Sequence, residues 1–166
     1  MRQSSNALLV SSIALAAALC VGPALAGTVS VSSADPMGFS DAGSTPWEKQ
    51  ANLDALTRHL QSLGQRHLPG DSSLKVELLD IDLAGTTRFS ARAGQELRVV
   101  KGGADVPRIS LRYVFESAGK APLSAQESVT DLDYLRRMQG NQQLDRLHYE
   151  KQMLERWFMA RFVAPR

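Results

Sequence analysis

Residues 74–85 form the longest strand-like pattern of the chain, with apolar and polar side chains in alternation. A period of two residues is typical of a half-buried strand rather than of a helix. The alternation shifts where two apolar residues, Leu78 and Leu79, are adjacent. A β-bulge at this pair would return both apolar sets to one buried face and direct Asp80 and Asp82 to the opposite face. The six residues expected on the buried face are Leu74, Val76, Leu78, Leu79, Ile81 and Leu83.

Two helices are predicted, one in each half of the chain. Thr45 suits the N-cap position, Pro46 suits the first helical position, and Glu48 would complete a capping box. One apolar stripe follows, made of Leu53, Leu56, Leu60 and Leu63. Gly64 is expected to end this helix. The second helix is predicted over residues 141–162, where the stripe consists of Leu144, Leu147, Leu154, Trp157, Phe158 and Phe162.

Shorter alternating patterns predict further strands. They cover residues 28–32, 96–100, 109–116 and 123–131, whereas residues 88–94 are expected to be irregular. The element order β-α-β-β-β-β-α predicts an α+β fold in two layers, a mixed sheet of about five strands with two helices on one face. If the first two strands are parallel neighbours, their connection should be right-handed. Asp80, Asp82 and Arg112 would then lie on the other face.

The first 26 residues have the composition of a secretory signal peptide. Arg2 is positively charged, residues 13–21 are apolar, and the sequence from Ala24 to Ala26 is a small-x-small cleavage site. We therefore expect residues 1–26 to be removed and residues 27–166 to form a single domain. The apolar segment is shorter than the roughly 20 residues of a membrane span. An uncleaved N-terminal anchor is the alternative, and no other segment is long enough to span a membrane.

Charge and cysteine content restrict the class of protein. The chain has 19 basic and 17 acidic residues, and Arg2 is the only charged residue within the first 26. Cleavage would leave 18 basic against 17 acidic residues, a balance that lacks the basic excess of nucleic-acid-binding domains. Cys20 is the only cysteine and lies inside the predicted signal peptide, so the remaining chain has no thiol. These features indicate a periplasmic protein that folds without disulfides.

Four ordered motifs give the chain a resemblance to a known family. They are the end of the long strand pattern, Asp80-Ile-Asp-Leu-Ala-Gly85, then Pro107-Arg-Ile-Ser-Leu-Arg-Tyr113, then Asp131-Leu-Asp-Tyr-Leu135, and finally the helical segment from Tyr149 to Phe158. Together they resemble the exported proteins of Gram-negative bacteria described as domain of unknown function 3016. That family has Trp before the Pro-Arg-Ile sequence, where this chain has Val106. The resemblance implies no activity, substrate or cofactor.

Two pairs of aspartates are the best candidates for a binding site. Asp80 and Asp82, and likewise Asp131 and Asp133, have the spacing that places both carboxylates on one face of a strand. Clustered carboxylate oxygens suit hard cations or another ligand. The simpler interpretation is a solvated face whose aspartates pair with arginines, and the sequence favours it. If the arginines offset the repulsion between the carboxylates, no cation is needed.

No other motif predicts chemistry. His59, His67 and His148 lack metal-ligand spacing, and no nucleophile motif or phosphate-binding loop is present, so no catalytic residue, metal ligand or cofactor is assigned. The sequence therefore favours a non-enzymatic binding or accessory protein of the cell envelope. Its partner would be an envelope protein, a glycan or a lipid. Two alternatives stay open, a metal-dependent hydrolase that uses the aspartate pairs and a structural protein without a ligand.

Two sets of side chains on the predicted helices also have a functional and a structural interpretation. Aromatic residues could line a groove, but aromatic side chains at helical spacing more often belong to a core; these are Trp47, Trp157, Phe158 and Phe162. Basic residues of the last helix could contact anionic lipid or glycan, but a solvated helix face is the simpler interpretation; these are Arg146, Lys151, Arg156 and Arg161.

Overall fold

The structure is a computed structural model that describes residues 26–137 and 145–163. The predicted signal peptide therefore lies outside the described residues, except for Ala26. The first part of the second predicted helix, including Leu144, also lies outside them.

The described residues form an α+β fold with a mixed four-stranded sheet, which confirms the predicted class. In chain order the sheet strands are β1 (Thr28–Ser33), β2 (Ser72–Asp82), β5 (Arg108–Ser117) and β6 (Leu123–Thr130). A separate hairpin contains β3 (Thr86–Ser90) and β4 (Gln95–Val99), and the helices are α1 (Pro46–His67) and α2 (His148–Phe158). The sheet order is β1-β2-β5-β6, in which β1 is parallel to β2 and the other pairs are antiparallel. The helices and one sheet face enclose a single large apolar cluster.

The β-bulge in β2 is where the sequence pattern predicts it. Leu78 pairs with Leu111 and Asp80 with Ser110, so the pairing register shifts across Leu79. Five of the six expected apolar residues of this segment are buried, whereas Leu79 is only half-buried. The prediction is thus wrong for Leu79. The extra residue of a bulge has no partner in the ladder, so Leu79 does not share the buried face with Leu78 and Ile81.

Helix α1 begins as predicted but ends later. The hydroxyl oxygen of Thr45 accepts a hydrogen bond from the amide N of Glu48 at 3.1 Å. Oε2 of Glu48 accepts a hydrogen bond from the amide N of Ser44 at 3.0 Å. A capping box would instead use the amide N of the N-cap residue, Thr45. The helix continues past Gly64 to His67. A Cβ at residue 64 would lie 2.1 Å from Cγ2 of Val29, so this glycine permits close packing of α1 against β1 rather than ending the helix.

The aromatic residues of α2 belong to the core, as the sequence favours. Trp157 and Phe158 are buried. The ring of Tyr113 packs edge-on against two other rings, with distances between ring centroids of 5.7 Å to Trp157 and 5.3 Å to Phe162. Trp47 does not belong to the core, because 77% of its surface is exposed. It lies in the first turn of α1, outside the stripe formed by the leucines that face the sheet.

The basic residues near and along α2 form ion pairs instead of an unpaired basic face. Arg146 pairs with Glu48, Lys151 with Asp145, Arg156 with Asp131, and Arg161 with Glu127. Helix α2 begins at His148, later than the predicted residue 141, and a π-helical turn over Met159–Val163 follows it.

The region between the two long strands differs most from the prediction. Residues 88–94 were expected to be irregular, yet Thr86–Ser90 forms β3 and pairs with β4. The strand predicted at residues 96–100 is β4, which pairs with β3 and not with the main sheet. The main sheet therefore has four strands. The hydrophobic pattern did not reveal β3 because no residue of this strand is buried.

Candidate functional site

Within residues 26–137 and 145–163, no helix packs against one face of the four-stranded sheet. We call it the open face, and the strand register defines its residues as Thr28, Ser30 and Ser32 of β1; Ser73, Lys75, Glu77, Asp80 and Asp82 of β2; Arg108, Ser110, Arg112, Val114 and Glu116 of β5; and Ser124, Gln126, Ser128 and Thr130 of β6. All of these residues are partly or fully exposed. Val114 is the only apolar side chain among them, so the face is predominantly polar.

Two depressions lie along the open face. The central one has a volume of about 290 Å³, and the side chains of Ser30, Lys75 and Arg112 contribute to its lining. Within it the Nη2 atom of Arg112 lies 3.0 Å from Oε2 of Glu77. The second depression, of about 470 Å³, lies at the end of the sheet where Ser73 and Glu116 meet the adjoining turns. Because both depressions involve β1, β2 and β5, they follow one another along the same strands.

The candidate aspartates of β2 lie on the open face near its other end. Asp80 accepts two hydrogen bonds from Ser40, one from the amide N at 2.7 Å and one from the hydroxyl at 2.8 Å. Asp82 pairs through its backbone with Asp41 on one side and with Arg108 on the other. Burial raises the pKa of Asp82, the neighbouring charge of Asp41 raises it further, and the charge of Arg108 opposes this shift. Asp80 therefore holds a loop in place, and Asp82 lies among charges of both signs.

The other two candidate aspartates lie elsewhere. Asp131 follows β6, is only 7% exposed, and forms an ion pair with Arg156 of α2. Its Oδ1 atom accepts a hydrogen bond from the amide N of Asp133 at 3.1 Å. Asp133 is exposed, and its Oδ1 lies 3.8 Å from Nη1 of Arg136. The structure thus places Asp131 toward the helices, on the side of the sheet opposite Asp80 and Asp82, and it does not bring the two pairs together.

The described residues contain no group of three or more histidine, cysteine, aspartate or glutamate side chains that could hold a metal ion. His59 instead connects the two helices, since its Nε2 atom lies 3.0 Å from the carbonyl oxygen of Lys151. Burial lowers the pKa of His59, which favours the neutral ring. The geometry of the aspartates and of His59 is therefore that of ion pairs and hydrogen bonds within the fold.

The sequence did not single out a cluster of charged groups beneath the end of β2. Oε1 of the buried Glu150 accepts a hydrogen bond from the amide N of Ala84 at 2.8 Å. The carbonyl oxygen of Ala84 in turn accepts from Nη1 of Arg98 at 3.3 Å. Arg98 also forms a two-bond pair with Asp41, in which both N–O distances are 3.0 Å. These contacts fix the chain where it leaves the sheet.

Glu127 is a second acidic residue whose role the sequence did not reveal. It lies on the helix-covered face of β6 and accepts hydrogen bonds from the hydroxyl of Tyr113 at 3.0 Å and from Nε1 of Trp157 at 3.0 Å. Nε of Arg161 donates to the same carboxylate at 3.2 Å. A signal was present, because Glu127 falls between Ala125 and Val129 at positions that alternate toward the core. The carboxylate holds the end of α2 against the sheet.

Among the described residues, no helix is long and apolar enough to cross a membrane.

Comparisons with known proteins identify the family but no individual relative. The chain has no significant match among curated proteins or among solved structures. A family model described as a protein of unknown function, DUF3016, matches residues 27–160. Since the match covers most of the sequence, the chain belongs to the DUF3016 family of proteins of unknown function.

Proposed function

We propose that the protein is an exported, non-enzymatic binding or accessory protein of the cell envelope and that the open face is its binding surface. One observation carries this proposal: nearly all side chains that define the face are polar, and the face contains a central depression of about 290 Å³. An antiparallel or mixed sheet commonly has one face against the core and one face toward water. Here the second face also has a concave shape, which is what a ligand requires.

The open face favours a ligand that interacts with side chains. The backbone groups of β2 and β5 are already paired on both sides within the sheet. A peptide that binds as an added strand needs unpaired backbone groups and would therefore bind at an edge, along β1 or β6. A ligand that lies over the middle of the sheet meets hydroxyl, amide, carboxylate and basic groups, with Val114 as the single apolar side chain among the residues that define the open face.

These side chains suit a linear glycan. Eight of the residues that define the open face are serine or threonine, which both donate and accept hydrogen bonds. Glu77 and Arg112 add charged hydrogen-bonding groups at the centre, and their opposite charges offset each other. Successive side chains on one face of a strand are about 7 Å apart. A chain molecule with regularly spaced hydroxyl groups can therefore contact several positions of the face.

Three observations support export to the envelope. The first 26 residues have the composition of a cleavable signal peptide. The family match begins at residue 27, the first residue after the proposed cleavage site. The only cysteine lies before that site, so the remaining chain needs no disulfide to fold in an oxidising compartment.

Binding to purified envelope glycans tests the proposal. The probes are peptidoglycan strands freed of their peptides and the polysaccharide part of lipopolysaccharide, each titrated into the protein. We expect one of them to bind wild-type protein and Arg112→Ala to weaken that binding roughly tenfold, the effect of losing one charged hydrogen bond. Arg66→Ala is the matched control, because Arg66 is equally basic and is exposed at the end of α1.

Denaturant midpoints of both variants verify that they are folded. If neither glycan binds, or if Arg66→Ala weakens binding as much as Arg112→Ala does, the open face is not a glycan-binding surface. Crosslinking in cells from a photoreactive residue at Ser30, compared with one at Gln65 on α1, then identifies which molecule covers the open face.

A further inference from the structure

The β3–β4 hairpin stands apart from the rest of the fold. Its two strands pair only with each other, whereas the four other strands form the main sheet. Among the described residues, neither the large apolar cluster nor a smaller one made of Ala84, Val106 and Tyr134 includes any side chain between Gly85 and Val99. A two-stranded ribbon without a packed face has only marginal stability in water. Its exposed residues are therefore not explained by packing against the part of the chain that the structure describes.

The base of the hairpin is firmly attached. Arg98 of β4 donates hydrogen bonds from both of its terminal nitrogens to Asp41, and Nη1 also donates to the carbonyl oxygens of Ala84 and Gly85. Gly85 has a φ of 81°, and a Cβ there would lie 2.5 Å from the carbonyl oxygen of Val99. This close contact holds the start of β3 against the end of β4. The hairpin is thus fixed at its base and projects its distal end into solvent.

The distal end of the hairpin, from the Arg88–Leu97 pair to the connecting loop, carries two exposed apolar side chains. Phe89 is 69% exposed and Leu97 is 39% exposed. In the hairpin register Phe89 pairs with Glu96, and Leu97 pairs with Arg88, one step further along the ladder. Side chains alternate along a strand, so Phe89 and Leu97 point to opposite faces of the ribbon. Phe89 is in the second pair from the connecting loop, and Leu97 is in the third.

Basic residues surround these two side chains. Residues 86–101 contain Arg88, Arg92, Arg98 and Lys101, against the single acidic residue Glu96. Asp41 offsets the charge of Arg98 through the ion pair at the base. Arg88 and Arg92 are exposed near the loop. The distal end therefore combines apolar surface with a net positive charge.

We propose that this distal end binds the surface of a membrane that contains anionic lipid. In that arrangement Phe89 and Leu97 enter the interfacial layer, and Arg88 and Arg92 meet the lipid phosphates. The apolar groups on both faces favour this partner, because a membrane surrounds the tip of a ribbon whereas a groove on another protein covers one face. The proposal does not depend on glycan binding by the open face, since the two surfaces share no residue.

A tryptophan reporter on the hairpin tests the proposal with protein purified from cells that express the full chain. Phe89→Trp is introduced together with Trp47→Phe, which removes the other exposed tryptophan. We expect the emission to shift to shorter wavelength with vesicles of equal phosphatidylglycerol and phosphatidylcholine but not with pure phosphatidylcholine. The reporter is local, so binding through any other part of the chain leaves it unchanged. Added salt should reverse the shift.

Charge variants in the same reporter protein complete the test. Arg88→Ala and Arg92→Ala should each lower the apparent affinity for the anionic vesicles by about fivefold. Arg58→Ala and Arg66→Ala are the matched controls, because both arginines are exposed on α1, and they should have no such effect. No emission shift with anionic vesicles, an equal shift with pure phosphatidylcholine, or an equal loss in the α1 controls would overturn the proposal.

Discussion

Glu150 is a carboxylic acid in the core, 2% exposed, and only one of its two oxygens has a partner in the part of the chain that the structure describes. Oε1 accepts from the amide N of Ala84, while Oε2 is buried without a hydrogen bond among the described residues. A buried carboxylate without compensating donors is costly, and the cost favours the protonated form. Burial accordingly raises the pKa of Glu150, against smaller opposing effects of the Ala84 amide and of the charge of Arg98.

This shift predicts a stability that depends on pH. The raised pKa means that the folded protein keeps the Glu150 proton to higher pH than the unfolded chain does. The contribution of Glu150 to stability is complete below its ordinary pKa and is lost as pH rises through the folded value. Glu150→Gln stays neutral and keeps an acceptor for Ala84. We therefore expect the variant to gain stability relative to wild type as pH rises, which urea midpoints will measure. The series should run from about pH 4.5 to about pH 8, because this range begins near the ordinary pKa of glutamate and extends well above it.

Glu96→Gln serves as the control for the loss of one negative charge, because Glu96 is exposed on the hairpin. Its midpoint should follow that of wild type across the series. A constant difference between Glu150→Gln and wild type at every pH would contradict the prediction, since it would show that Glu150 has the same charge in the folded and unfolded states.

The helices and strands that bury one face are those that the sequence predicts well. Strands β2 and β5 show an alternating pattern because one side of each meets the core, and the adjacent Leu78 and Leu79 interrupt this pattern in β2 and reveal the bulge. The hairpin strand β3 has no buried face, so hydrophobic periodicity contains no information about it. The prediction that Gly64 ends the first helix is wrong for a different reason. A glycine that ends a helix and a glycine that permits close packing are the same in sequence.

The packing role of Gly64 predicts an unusual effect of alanine. Alanine normally stabilises a helix interior by about 1 kcal/mol relative to glycine. Here its Cβ would lie 2.1 Å from Cγ2 of Val29, so α1 or β1 must shift. Overpacking of this kind costs about 1–3 kcal/mol. We expect Gly64→Ala to lower the free energy of unfolding by about 1 kcal/mol, the difference between these opposing effects, in a denaturant titration.

A double variant isolates the contact. Val29→Ala removes the methyl group that would clash and leaves a contact of 3.2 Å between the two Cβ atoms, so Gly64→Ala should cost less stability in the Val29→Ala background than in wild type. Gln65→Ala, at an exposed position of the same helix turn, controls for general effects of alanine in α1. Stabilisation by Gly64→Ala in the wild-type background would show that Gly64 does not set the distance between α1 and β1.

The molecule as a whole has a helix-covered face, an open face and a projecting hairpin, and the candidate residues are divided among these regions. Sequence periodicity placed Asp80 and Asp82 on the open face, where the structure has them. It could not place Asp131, because the direction of a residue after the last strand depends on the turn and on Arg156 of α2. The pattern also did not predict the core-facing positions of Glu150 and Glu127. A helical stripe or a strand alternation is recognised by its apolar residues, so a glutamate that faces the core is not recognised as part of it. Sites built from distant segments require the fold.

The beginning of the fold bears on the proposed export. Gly27 is buried, and its amide N donates to the carbonyl oxygen of Leu68 at 3.1 Å. A Cβ at this residue would lie 2.5 Å from Cβ of Leu68, so the position suits glycine. Cleavage after Ala26 would turn this amide into an α-amino group, which still donates a hydrogen bond. The proposed mature N-terminus can therefore keep its contact with the turn that precedes β2.

We expect the intact mass of the protein recovered from an envelope fraction to equal that of residues 27–166. Signal peptidases require small residues at the first and third positions before the cut. Ala24→Gln should therefore leave the chain uncleaved and raise the mass by that of the first 26 residues, whereas Leu25→Gln, at the position between, should be processed like wild type. A wild-type mass that includes residues 1–26 would show that this segment is an anchor, and the proposal of a released periplasmic protein would then be wrong.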